Sequence, residues 1–87
     1  MFVVVCRQTL IDARFPSVVC APVHSGAEGL STQIPVGLQE GLKHPSWILC
    51  DALTSIPKER LTDFVGSLSG AKVAQLRRAL AIALDLV

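Results

Sequence analysis

The polar side chains that can perform chemistry are few, and they lie next to apolar segments of the chain. His24 and Ser25 follow one apolar run. A second group lies at the start of the apolar run 47–53 and within it, and comprises Lys43, His44, Ser46 and Asp51. Histidine changes charge closest to neutral pH, so His24 is suited to moving a proton to or from a ribose hydroxyl or a leaving oxygen. Lys43 and His44 can hold a phosphate by charge, although exposed cations in loops and a histidine at a strand end are also common without any function.

The sequence lacks the motifs of several other common kinds of active site. There is no glycine-rich phosphate loop, no H-E-x-x-H and no G-x-S-x-G motif. Cys6, Cys20 and Cys50 form no C-x-x-C pair, which argues against a disulfide framework or a zinc ribbon. All three lie among apolar residues, where cysteine behaves as a small core side chain. Cys20 and His24 form a conceivable metal pair that lacks two further ligands, so we expect no metal and no cofactor.

The elements that must position these residues are predicted to be short strands. Apolar, β-branched runs predict strands at residues 2–7, 18–23, 31–36, 47–53 and 61–68. Pro22 lies near the end of the second run and cannot donate to a ladder, which predicts an edge or a bulge there. Two glycines follow His24 in a polar loop, and Pro57 opens a polar turn.

The end of the chain has a different period. Apolar residues recur at spacings of three and four, at Val73, Leu76, Leu80, Ala83 and Val87. This spacing predicts an amphipathic helix over 69–87, with Ser69 as its N-cap and with Arg77 and Arg78 on a solvated face. The element order predicts a mostly β fold with a C-terminal helix, arranged as a small twisted barrel closed at one end by the helix.

Composition restricts the classes of function. A chain of 87 residues is long enough for one domain, 1–87. Its content of 51% hydrophobic and 17% charged residues is far from that of a disordered chain. The formal net charge of +1 excludes a polybasic, histone-like role. The apolar runs are too short to span a bilayer, and no secretory signal is recognisable. We therefore expect a cytoplasmic protein that does not bind membranes.

The order of the segments resembles that of a known family. The chain runs through V-V-V-C-R-Q-T, F-P-S-V-V-C-A-P-V-H-S, P-S-W-I-L-C-D-A-L-T-S-I-P-K-E-R-L and S-G-A-K-V-A-Q-L-R-R-A-L. This pattern resembles the MazF/PemK family of toxin endoribonucleases over essentially the whole chain. The resemblance implies an SH3-like small barrel that forms a homodimer and cleaves single-stranded RNA without a metal. It also implies a cognate antitoxin whose tail fills the RNA groove.

The resemblance also assigns roles to individual residues. The family's catalytic threonine falls on His24, with Ser25 as the adjacent hydroxyl, and RNA-contact positions fall on Ser46 and Asp51. The family's Arg-Pro pair would lie where Met1 and Phe2 stand. Its arginine is expected to help activate the 2′-oxygen and to stabilise charge on the phosphate.

The resemblance further implies a strand and a loop before the segment that begins here. We expect that the start lies upstream and that this chain is a shortened version. The alternative is a genuine short form whose open strand edge is covered by dimerisation or by a partner. Such a form would be a degenerate toxin that binds antitoxin or RNA without cutting, and a gyrase-poisoning toxin of the related fold is a further alternative.

Overall fold

The computed structural model describes residues 1–5, 14–26, 29–61 and 65–86. In these ranges β-strands precede a single α-helix, which confirms the prediction of a mostly β fold with a C-terminal helix. The strands are β1 (Phe2–Val4), β2 (Ser17–His24), β3 (Gln33–Val36), β4 (Ser46–Leu49) and β5 (Thr54–Pro57), and the helix is α1 (Gly70–Ala83).

Strand β2 is the centre of an antiparallel sheet. One of its edges pairs with β1, where Val3 lies opposite Ala21. The other edge pairs first with β5 and then, at its end, with β4, where His24 lies opposite Trp47. Strand β3 pairs with the outer edge of β4, so the order is β1-β2-β4-β3, and β5 is paired with β2. The described strands do not close into a complete barrel, but their order is compatible with a small barrel.

The strand predicted at 47–53 is wrong in its second half. The 3₁₀ turn Cys50–Ala52 ends β4, and the chain then resumes pairing as β5, a strand that the sequence pattern did not predict. The Cys50 amide donates to the Thr32 carbonyl oxygen at 3.0 Å, which holds this turn beside the start of β3. The apolar residues continue through this bend, so their pattern does not reveal it.

The strand predicted at 61–68 is not present in its described part. Leu61 and residues 65–68 have no regular secondary structure, and the remaining positions lie outside the described residues. Residues 6–7 of the first predicted strand also lie outside the described ranges. Leu68, at the end of this connection, is half-buried and packs against the core, whereas Leu61 and Val65 are exposed.

Helix α1 covers one face of the sheet. Leu76 and Ala79 are buried against a core that includes Ala21, Ile34 and Ile48. This burial confirms the predicted amphipathic helix. No helix within the described ranges has the length and apolar character needed to cross a membrane.

The ends of α1 follow from local chemistry. The Ser69 hydroxyl accepts a hydrogen bond from the Lys72 amide at 3.2 Å, which confirms Ser69 as the N-cap. The Lys72 ammonium donates to the Pro35 carbonyl oxygen at 2.5 Å and ties the first turn of α1 to β3. The helix ends at Ala83, earlier than predicted, and Asp85 then adopts a left-handed conformation with φ of 57°.

Two of the cysteines lie in the interior. Cys20 is 0% exposed and Cys50 is 1% exposed, which confirms their predicted burial among apolar residues. Burial, assisted by the neighbouring Asp51 carboxylate, raises the pKa of the Cys50 thiol above its ordinary value. Cys6 lies outside the described residues.

Candidate active site

The predicted catalytic pair lies at the end of β2. His24 is the last residue of the strand and Ser25 begins the bend that follows, and both are exposed. The amide of Val23 donates to the Met1 carbonyl oxygen at 2.9 Å. The position that the family resemblance gives to its arginine is therefore adjacent to the strand end that carries His24.

A cleft of about 380 Å³ opens beside this strand end. Its walls are apolar and are formed by Met1, Val23, Leu42 and Val65. Its polar lining comes from Lys43, His44 and Ser46, together with the Gly41 backbone. The cleft thus combines apolar walls with the polar side chains of Lys43, His44 and Ser46.

The turn that enters β4 brings three predicted RNA-contact residues together. Lys43, His44 and Ser46 are neighbours in sequence, and all of them line the cleft. The Ser46 hydroxyl donates to the His44 carbonyl oxygen at 3.2 Å, which fixes the shape of the turn. Lys43 and His44 are exposed, so their side chains are available to a solvent-borne ligand.

His24 and its neighbour Val23 have different surroundings. Successive side chains of a strand point to opposite faces. Val23 lines the cleft and packs against the core. The side chain of His24 is on the other face of the strand, and the cross-strand partner of His24 is Trp47 of β4. Val23 is therefore part of the cleft wall, and His24 is not among the residues that line the cleft. A ligand that contacts both must pass around the end of β2.

Asp51 occupies a different location from the other predicted contacts. It lies in the 3₁₀ turn Cys50–Ala52, where its carboxylate accepts a hydrogen bond from the Thr32 hydroxyl at 2.5 Å. Thr32 is the buried polar residue of the described core, with 7% exposure. Asp51 is not among the residues that line the cleft, so the structure does not bring it together with Lys43 and His44.

The conceivable metal pair is not supported by its geometry. Cys20 is fully buried, whereas His24 is exposed. In the described ranges, no group of three or more His, Cys, Asp or Glu side chains lies close enough to hold one metal ion.

The apolar half of the cleft does not follow from the sequence pattern. Met1, Leu42 and Val65 come from distant parts of the chain, and no local pattern links them. The loop 37–45 holds two leucines, Leu38 and Leu42, and nothing in the sequence shows that only Leu42 lines the cleft. Thr32 was also missed, because nothing in the sequence pairs it with Asp51.

Glycine packing holds one wall of the cleft in place. Gly41 has a φ of 91°, and a Cβ at this position would lie 2.6 Å from the Val65 carbonyl oxygen. A Cβ at Gly66 would overlap the Glu40 carbonyl oxygen. The backbones of the two loops therefore touch at positions where only glycine fits, and this contact places Val65 next to Leu42.

Known proteins are similar to this chain over nearly its whole length. Endoribonuclease MazF3 of Mycobacterium tuberculosis (strain CDC 1551 / Oshkosh) is 30% identical over 84 residues, which are 97% of this chain and 82% of the relative. The solved structure of Mycobacterium tuberculosis toxin MazF-mt6 matches with a TM-score of 0.89 and 28% identity, covering 97% of this chain and 84% of that one.

A second solved structure is similar in fold alone. It is an endoribonuclease in complex with its cognate antitoxin from Mycobacterial species, with a TM-score of 0.88 and 21% identity, covering 99% of this chain and 81% of that one. A family model described as PemK-like, MazF-like toxin of type II toxin-antitoxin system matches residues 1–84. The family model covers nearly the whole chain, and the 30% identical relative is a MazF endoribonuclease. The chain therefore belongs to the family of PemK-like, MazF-like toxins of type II toxin-antitoxin systems.

Proposed function

We propose that this toxin is an endoribonuclease that cleaves single-stranded RNA at the end of β2. The observation that carries the proposal is the cleft wall itself, because Val23 lines the cleft and directly precedes His24 and Ser25. Lys43 supplies positive charge for the phosphate backbone, and His44 beside it in the cleft is proposed as a further contact with the phosphate. The 30% identical relative is named an endoribonuclease, which favours RNA over gyrase as the target.

The proposed reaction is an in-line transesterification within the RNA. The ribose 2′-oxygen attacks the adjacent phosphorus, and the bond from phosphorus to the 5′-oxygen breaks. The 2′-hydroxyl proton leaves and the 5′-oxygen gains a proton, which yields a 2′,3′-cyclic phosphate and a 5′-hydroxyl end. His24 is proposed to move these protons, and Ser25 to donate a hydrogen bond to the phosphate. Lys43 and His44 would stabilise the charge that develops on it.

Ser46 and Asp51 are proposed as further contacts with the RNA. Ser46 lies in the cleft, and its oxygen can still accept a hydrogen bond while its hydrogen is donated to His44. Asp51 lies outside the cleft lining, and its contact would use the carboxylate oxygen that does not accept from Thr32. An RNA strand that reached both would have to extend along β4.

The partner proposed for this toxin is a protein antitoxin. A type II system pairs each toxin with one, and a relative of the same fold is described in complex with its cognate antitoxin. We propose that the antitoxin covers the same cleft, that the toxin works as a homodimer, and that both act in the cytoplasm. Light scattering of the purified chain tests the dimer, since a monomer at micromolar concentration contradicts it.

A second candidate function is binding without cleavage. Met1 lies beside Val23, at the position where the family resemblance places a catalytic arginine. Loss of one charge-stabilising group of this type costs on the order of 10²–10³ in rate. A toxin so weakened would still bind RNA or antitoxin through the cleft.

The two candidates are separated by a cleavage assay. The purified chain is incubated with an end-labelled, unstructured RNA in EDTA, and the product ends are identified. His24→Ala and Ser25→Ala are run in parallel, with Ser55→Ala as the control for removal of an exposed hydroxyl elsewhere on the sheet. Circular dichroism and thermal unfolding establish that every variant is folded.

The nuclease proposal predicts discrete cuts that end in a cyclic phosphate. His24→Ala should slow cleavage by about 10²–10⁴ as expected for a lost acid-base group, while Ser55→Ala should match the unchanged protein. Unchanged cleavage by folded His24→Ala contradicts the role of His24. No cleavage by the folded starting chain, together with retained binding of RNA or antitoxin, supports the second candidate.

A further inference from the structure

We propose that the groove between β3 and α1 binds a phosphate of the RNA at a distance from the cut, and that Arg78 is the residue that holds this phosphate. We call this site the helix groove. The inference rests on the proposed ribonuclease function and extends the RNA contact beyond the cleft. It assigns a role to Arg78, which the proposed chemistry does not use.

The helix groove lies where α1 covers β3, and its volume is about 190 Å³. Its α1 side is formed by Gln75, Arg78 and Ala79, and its β3 side includes Ser31, Gln33 and Pro35. Sites for whole small molecules usually measure about 300–1,000 Å³. The helix groove is smaller than this range, so its size suits one phosphate group better than a complete ligand.

The lining of the helix groove is suited to an anion. Arg78 is exposed, and none of the described residues that line the groove carries a carboxylate. The exposed Gln75 amide and Ser31 hydroxyl can donate further hydrogen bonds there. The Asp51 carboxylate accepts the Thr32 hydroxyl and is not part of the lining. A guanidinium can bind two phosphate oxygens at once, which makes arginine well suited to this ligand.

Contacts within the fold hold both sides of the helix groove in place. The Lys72 ammonium donates to the Pro35 carbonyl oxygen at 2.5 Å, which joins α1 to β3. The Gln33 side-chain oxygen accepts from two backbone amides of the preceding loop, at 2.9 and 3.1 Å. Ala79 is 2% exposed and anchors the helical turn that carries Arg78. Walls that are fixed before binding reduce the conformational entropy that is lost when a ligand binds.

A row of side chains connects the helix groove to the proposed catalytic residue. His24 lies opposite Trp47, and Trp47 lies opposite Pro35, which lines the groove. Directly opposed residues of a sheet share a face, and neighbouring strands lie about 4.8 Å apart, so His24 and Pro35 are about 10 Å apart on one face. His24 and Pro35 are exposed, which agrees with a shared outer face. An RNA strand that is cut at His24 and crosses this row therefore reaches the helix groove within a few nucleotides.

The test compares two neighbouring arginines of α1. Arg78→Gln removes the proposed phosphate ligand. Arg77→Gln removes the same charge from an exposed position that does not line the groove. The probe is a fluorescently labelled, unstructured RNA with 2′-O-methyl riboses, which lacks the attacking hydroxyl and is bound without being cut. Its binding is measured by anisotropy over a series of salt concentrations, and thermal unfolding establishes that each variant is folded.

We expect Arg78→Gln to weaken binding by about three- to tenfold and to reduce the slope of log K against log[salt] by about 0.7, the value for one phosphate of a single strand. Arg77→Gln should have a much smaller effect on both quantities. Gln75→Glu places a carboxylate in the groove and should also weaken binding, whereas Ala74→Glu adds the same charge at an exposed position outside the lining. Equal effects of Arg78→Gln and Arg77→Gln overturn the proposal.

Neutral linkages in the RNA locate the contact. The phosphates around a mapped cut are replaced one at a time by methylphosphonates. One linkage away from the cut should weaken binding to the starting protein and to Arg77→Gln, but not to Arg78→Gln, because the charge that it faces has already been removed. If every linkage weakens binding to all three proteins equally, the RNA has no discrete contact at Arg78 and the proposal is wrong.

Binding and cleavage are measured separately, so failure of the helix groove and failure of the nuclease are distinguishable. Arg78→Gln should weaken binding by the same factor in the His24→Ala protein, and this result supports the groove even if no RNA is cut. Discrete cuts together with unchanged RNA binding by Arg78→Gln overturn the groove and leave the nuclease in place. If Arg78→Gln weakens binding of an antitoxin peptide but not of RNA, the groove belongs to the antitoxin and the proposal is overturned.

Discussion

Thr32 donates its side-chain hydroxyl to the Asp51 carboxylate, and its backbone carbonyl accepts from the Cys50 amide at 3.0 Å. The residue before β3 thus holds both the backbone and the side chain of the 3₁₀ turn that separates β4 from β5. Asp51 has a structural role in this bend, whatever it contributes to RNA binding. A substitution of Asp51 therefore has to be examined for folding before it is interpreted as a loss of binding.

Thr32→Val should destabilise the protein by about 1–3 kcal/mol, because it keeps the shape of the side chain and leaves the Asp51 carboxylate without its donor. Urea unfolding measures the effect. Thr54→Val is the control, since Thr54 is an exposed threonine on β5 and its substitution should stay within about 0.5 kcal/mol. Equal unfolding midpoints for the two variants would show that the hydrogen bond adds nothing to stability.

Gly66→Ala should destabilise the protein and disturb the cleft, because the added Cβ overlaps the Glu40 carbonyl oxygen. Gly70→Ala is the matched control at the start of α1, where nothing lies within 4 Å of an added Cβ. Alanine there should be neutral or stabilise by up to about 1 kcal/mol. Thermal unfolding of both variants decides the point, and a Gly66→Ala protein as stable as Gly70→Ala contradicts the close contact of the two loops.

Lys43→Ala should weaken RNA binding in a way that depends on salt. If Lys43 contacts one phosphate, its removal reduces the slope of log K against log[salt] by about 0.7 for a single strand. Fluorescence anisotropy over a series of salt concentrations gives this slope. Arg77→Ala removes an equal charge from the exposed face of α1 and should leave the slope almost unchanged. The same reduction in both variants would indicate a general charge effect and not a contact in the cleft.

The buried thiol of Cys50 should make stability fall at alkaline pH. Its pKa is raised above the ordinary value of 9.0, first by burial and then by the Asp51 carboxylate. Below pH 9 the thiol is protonated in both the folded and the unfolded chain, so it gives no pH dependence. Above pH 9 the unfolded chain loses this proton and the folded chain keeps it, so the free energy of unfolding decreases as pH rises.

Urea unfolding between pH 7 and pH 10 measures this decrease, and Cys50→Ala should lose part of it. Alkylation gives a second readout, because the protonated, buried thiol should react with iodoacetamide only when the chain unfolds. A slope above pH 9 that is identical in Cys50→Ala would assign the pH dependence to other groups.

The sequence by itself determined the features that depend on near neighbours along the chain. The apolar run at β2 predicted a strand, the spacing of Leu76 and Leu80 predicted α1, and Ser69 was recognisable as its cap. Lys43 and His44 fell together in one turn because they are adjacent in sequence. These signals are local, since side-chain periodicity and capping are set within a few residues.

The tertiary structure alone decided the features that join distant segments. The bend at Cys50–Ala52 depends on Thr32, and the cleft depends on Met1, Leu42 and Val65 meeting beside the end of β2. Which strand edges pair, and which loops then touch, is determined by packing over the whole sheet rather than by any short pattern. For this reason the sequence alone predicts chemistry at His24 and Ser25, whereas the apolar cleft beside Val23 is visible only in the folded chain.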